Sequence, residues 1–179
     1  MGTTVSDEFA GTIKSFVLVT RTETQGIASV VETISRANTY SFVDGGANAN
    51  GADIVWSDTR SLTGGTTETI DLQAVSDQVL GASETKLFRS IRAVQIRNNA
   101  TITGPRIVVG PGTSNGWGRV RGDIGPGGEL LAIQQTNHWP VWSNEKTLLV
   151  HATGATGATG LISYSIVVIG SAVTGATGY

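Results

Sequence analysis

A serine between glycines is the first place in this sequence to look for chemistry. Gly112-Thr113-Ser114-Asn115-Gly116 fits G-x-S-x-G, the pattern in which a strained strand-to-helix turn exposes a nucleophile. Such a serine needs a histidine to take its proton and a carboxylate to orient that histidine. The chain has two histidines, His138 and His151, and the residues after the match, WGRV, show no helical pattern. Ser114 therefore reads as a loop residue. The same two histidines, with no cysteine and no spaced acidic ladder beside them, make a poor zinc donor set. No EF-hand-like loop is present. GPGTSN lacks the spacing of a dinucleotide loop, and no GxxxxGK[ST] occurs. Asp7-Glu8 and the Asp53/Asp58 pair have nothing that sets them at glycosidase spacing. The expectation is a protein that is not an enzyme and uses no cofactor or metal.

Residues suited to binding are more prominent. Four tryptophans occur, at Trp56, Trp117, Trp139 and Trp142, the last two straddling Pro140. A ring with a polar edge serves at protein interfaces. The alternatives are local packing and stacking on sugar rings. Charge is strongly uneven. Residues 1–85 hold eleven acids and four bases, whereas Lys86 to Gly122 hold seven bases and no acid. Such a basic stretch suits nucleic acid, or the acidic surface of a neighbouring subunit. Few aromatic residues interleave with these bases, unlike a single-strand-binding groove, so subunit contact or a merely solvated face is the preferred reading and direct nucleic-acid binding is not expected.

The elements that must carry these residues read as strands. Gly, Thr, Val and Ile are abundant, only 15% of residues are charged, and proline is scarce, a composition of strands joined by tight turns. Residues 12–21 form a first strand. Residues 27–36 fit a helical stripe but are taken as strand from their β-branched content. Residues 41–53, with GGANANGAD, read as a loop. Residues 54–62 and 66–72 flank Gly64-Gly65, the signal of a hairpin. Residues 74–82 read as a loop or one helical turn. Strands follow over 87–97, 101–109, 129–134 and 147–152. The stretch 161–170, LISYSIVVIG, alternates and then becomes apolar on both faces, as a central strand does.

No apolar run is long enough for a membrane span. The start lacks the basic and apolar regions of a secretory signal, and Met1-Gly2 with Ser6 is only a formal myristoylation match. The TGATGATG tract, residues 153–160, is too short for a collagen helix and reads as a hairpin loop. Eight to ten strands of this spacing give an all-β, jelly-roll-like antiparallel β-sandwich. It would be one domain, with residues 1–11 as a flexible N-terminal arm and 171–179 as a loose tail.

From Glu68 to Gly170 the words TETIDL, FRSIRAVQIRNN, RIVVGP, NGWG, PGGELLAI and LISYSIVVIG resemble those of bacteriophage capsid cement (decoration) proteins. The resemblance implies a jelly-roll module on the capsid surface of the virion. There it would bind the major capsid protein, as a homotrimer, and stabilise the assembled head. It also leaves open a fibre or spike module that binds a receptor or glycan. For the contacts, residue type points to Arg89, Arg92, Arg97, Arg119 and Arg121 as polar partners and to Trp117, Trp139 and Trp142 as anchors.

Overall fold

The computed structural model describes residues 10–25, 28–45, 50–79, 82–101, 105–134, 137–153 and 161–172. Residues 1–9, most of the TGATGATG tract and the last seven residues lie outside the described residues. Within the described residues the chain is all-β, with antiparallel sheets packed face to face.

One sheet has the order β11-β8-β14-β4, from β4 (Ile54–Thr63), β8 (Ser90–Asn98), β11 (Glu129–Ile133) and β14 (Leu161–Ser171), with the short β12 (Trp139–Pro140) also paired to β8. The facing sheet has the order β10-β9-β13-β5, from β5 (Thr67–Asp71), β9 (Arg106–Pro111), β10 (Gly122–Ile124) and β13 (Thr147–Thr153). Alternation explains the core. Ile162, Tyr164, Ile166 and Val168 of β14 point inward and are buried, as are Leu148, Val150 and Ala152 of β13. They meet Trp56, Ile70, Val94, Ile96, Ile107 and Val109 in one apolar layer between the sheets. The expected central strand is central: β14 pairs with β4 on one side and β8 on the other.

Three expectations about local structure are corrected. Residues 54–63 and 67–71 do not pair as a hairpin. Gly65, at φ +81°, turns the chain out of one sheet and into the other. A Gly-Gly signal specifies a sharp turn, but not which neighbour each strand finds afterwards. Residues 74–82 are not a loop, because β6 (Val75–Val79) forms a separate two-stranded ribbon with β7 (Ala82–Lys86). The loop expected over 41–53 is shorter, since 41–44 continue a strand and Gly51–Ala52 form β3.

β8 carries a β-bulge. Ile169 of β14 faces Ala93 and Gly170 faces Ile91, so Arg92 has no partner across the ladder. One extra residue reverses the in-out alternation. Ile91 therefore joins Val94 and Ile96 in the main core, while Ala93 faces outward.

Outside the sandwich, β1 (Gly11–Gln25) and β2 (Ala28–Asp44) form an uninterrupted antiparallel ladder from Gly11↔Phe42 to Gln25↔Ala28. The strand reading of residues 27–36 holds for the described residues from Ala28 onward. At its root, Ile13, Tyr40 and Phe42 pack with Ala93, Ile133, Val167 and Ile169 on the outer face of the five-stranded sheet. Beyond the root, Lys14, Phe16, Thr33 and residues 35–39 are exposed. At ~3.4 Å per residue, this outer part of the hairpin is about 40 Å long.

Candidate functional site

One end of the sandwich gathers the residues suited to contact. There β9 ends at Pro111, β13 begins at Thr147, β8 begins at Ser90 and β14 finishes at Ser171. The hairpin root reaches the same end through β3, which pairs in parallel with Val43 and Asp44 of β2, while Asp53 N–H donates to Gly170 O at 3.0 Å.

The loop between β9 and β10 is stitched to the start of β13. Thr147 O accepts from Gly112 N–H (3.0 Å) and from Trp117 N–H (2.8 Å). Asn115 O in turn accepts from Lys146 N–H (2.7 Å) and Thr147 N–H (2.8 Å). Asn115 sits at φ 52°, a conformation its short side chain tolerates better than most. Gly112 and Gly116 are required by space: a Cβ on Gly112 would lie 2.3 Å from Thr147 Oγ1, and one on Gly116 2.3 Å from Gly112 O. The G-x-S-x-G glycines thus serve loop closure. Ser114 is exposed, and His151 Nδ1 is bonded to Thr67 Oγ1 at 2.9 Å.

Trp117 is fully buried, its indole N–H bonded to Pro140 O at 3.0 Å and its ring edge-to-face with Trp139 at 6.0 Å. The sequence placed Trp117 at an interface, but the structure places it in the core. Trp139 is half-buried against it. Trp142 alone is exposed, at 53%, on a turn closed by Glu145 N–H donating to Trp142 O at 3.0 Å.

The arginines divide three ways. Arg92 is buried, its guanidinium bonded to Gly51 O (3.0 Å) and to Asn137 O, so it is not the surface contact that residue type suggested. Burial lowers its pKa. His138 is likewise held below the usual imidazole range, first by burial and then by the charge of Arg92. Arg97 lies at the opposite end, directly across from Glu129 in the ladder. Arg89, Arg119 and Arg121 are exposed at the end where β13 begins. Arg119 is paired with Glu145 at 3.0 Å. The backbone of Gly112, Gly116 and Gly118, with Arg119, Arg121 and Glu145, lines an open cleft of about 390 Å³.

Sequence reasoning missed the other half of this surface. Of the large exposed apolar side chains, Val43, Leu87 and Trp142 lie at this end, Val55 just below it on the outer face, Phe16 on the hairpin, and Leu161 at the opposite end beside Thr63. An apolar residue within a strand pattern is read as core, and only the packing shows which ones the core leaves out. Among the described residues no cluster of three or more metal-binding side chains is present. No family model and no curated protein matches the chain.

Proposed function

We propose that this chain is a structural virion protein, a cement protein that binds the assembled phage head and stabilises it. The observation that carries this reading is the coincidence at one end of the root of a long hairpin, whose outer part pairs with no further strand among the described residues, several exposed apolar side chains and exposed arginines. An isolated two-stranded ribbon is marginal in water, and its free edges are templates for pairing with another chain. Tryptophan and arginine beside apolar surface is the composition of an interface that supplies most of its energy from few residues. Adding strands to a shell subunit would join main-chain hydrogen bonds to that contact.

Strand order supports a jelly-roll. Among the eight sandwich strands the first pairs with the last (β4 and β14), and the second with the seventh (β5 and β13). The third then pairs with the sixth (β8 and β11), and the fourth with the fifth (β9 and β10). Two rolled-up Greek keys give this pairing.

A ligand that binds only the assembled shell stabilises it by mass action. Mixing the protein with empty phage heads and sedimenting them should give saturable binding and a higher shell melting temperature. Shells that neither retain the protein nor melt later would remove the reading.

A further inference from the structure

We propose that the cleft at Arg119 and Arg121 receives the carboxylate of an acidic side chain presented by the partner protein. This inference rests on the docking reading above and names the chemistry that this end would recognise.

Charge state is the first argument. Arg119 is already engaged by Glu145, and Arg106, the next base back in the sequence, by Asp123 at 2.7 Å. Arg121 has no acidic partner among the described residues, yet it lines the cleft. An unpaired guanidinium offers a planar fork of donors that matches a carboxylate in two parallel hydrogen bonds.

Rigidity is the second. The cleft wall is the loop fixed by Gly112, Asn115 and Trp117 onto the start of β13. The bare backbone of Gly118 lies against the Arg121 guanidinium, 3.4 Å from where a Cβ would stand. A preformed wall loses little freedom on binding.

The lining is the third. Arginine, glutamate and glycine backbone make a hydrophilic site, unlike the apolar pockets that enclose most small molecules. The exposed Trp142, on the turn that carries Glu145, makes its surroundings those of a protein contact. An acidic side chain reaching in from a broad partner surface suits that setting better than a free sugar acid.

The test uses a fluorescent hexaglutamate peptide, the intact protein and fluorescence anisotropy. Saturable binding is expected, at least tenfold weaker in Arg121→Ala, intermediate in Arg121→Lys and unchanged in Arg97→Ala at the far end. Glucuronate should displace the peptide no better than acetate does. Absence of saturable binding, equal binding in Arg121→Ala, or equal weakening in Arg97→Ala would each overturn the proposal. Displacement by glucuronate well ahead of acetate would overturn it in favour of an acidic-sugar site. Circular dichroism of each variant shows that the fold is intact. With empty heads, Arg121→Glu should weaken binding at least tenfold, and unchanged binding overturns the proposal. If the wild-type protein ignores heads yet binds hexaglutamate through Arg121, the docking reading fails and the carboxylate site stands.

Discussion

Tyr164, in the middle strand of one sheet, donates its phenolic hydrogen to Glu68 of the facing sheet at 2.8 Å. Glu68 is also paired with Arg60, whose guanidinium lies 5.3 Å above the ring of Trp56 and bonds Asp58 at 2.8 Å. Hydrophobic contact presses the two sheets together, and this chain of polar groups fixes how they are aligned. Removing only the hydroxyl, in Tyr164→Phe, should cost about 1 kcal/mol. Glu68→Ala leaves the phenol without its acceptor and takes one of the two carboxylates from Arg60, and should cost about 2–3 kcal/mol. Urea denaturation curves measure both.

Alkali should loosen the same contact. Burial, and then the hydrogen bond to Glu68 and its negative charge, hold the phenol of Tyr164 well above the ordinary tyrosine range. The folded state therefore favours the neutral phenol. That contribution is whole below the unfolded tyrosine value of about 10 and is lost as pH rises above it. Melting temperature should fall above roughly pH 10, and fall less steeply in Tyr164→Phe. Equal slopes would count against the assignment.

Two glycines of similar appearance should differ sharply in their response to alanine. On β14 opposite the β8 bulge, a Cβ on Gly170 would stand 2.1 Å from Ser90 O and 2.8 Å from Phe88 Cδ1. Gly170→Ala should cost about 3 kcal/mol or prevent folding. A Cβ on Gly110 meets nothing within 4 Å, and Gly110→Ala should change stability by less than about 0.5 kcal/mol. Thermal melts of the pair are enough to tell.

Arg92 is expected to behave as a structural residue. Its side chain ties the bulge of β8 to Gly51 at the hairpin root and to Asn137 before β12. Arg92→Ala should cost about 3 kcal/mol, because the buried Gly51 carbonyl loses a charged donor and the side chain that fills this buried position is removed. Binding measured on the fraction that remains folded should be unchanged. A loss of binding with full stability would return Arg92 to the surface role.

The strands were legible because alternation is a local property. Ile162, Tyr164, Ile166 and Val168 declare one face without reference to any other part of the chain. Which strand pairs with which is not local, and so the turn at Gly64-Gly65 suggested a hairpin that the chain does not make. The bulge at Arg92 was hidden for a related reason. Its sequence, SIRAVQIRN, shows no gap, and only the pairing to β14 reveals a residue without a partner. For the candidate site, residue type found Arg119, Arg121 and Trp142 but could not separate them from Arg92 and Trp117. A buried tryptophan and an exposed one have the same letter. The glycines before Trp117, Gly112 and Gly116, which bring the loop close against Thr147, were the available clue to its burial.

Among the described residues the outer part of the hairpin pairs only with itself. Replacing residues 14–39 by Asn-Gly would join Ile13 to its ladder partner Tyr40 through a two-residue turn. The main core uses no residue of that segment, so the melting temperature of the sandwich should hardly move. The decisive measurement is sedimentation of this shortened protein and the full-length one with empty heads, side by side. The account predicts that the full-length protein binds and the shortened one is lost from the pellet by at least tenfold. Equal binding by the two proteins would contradict it.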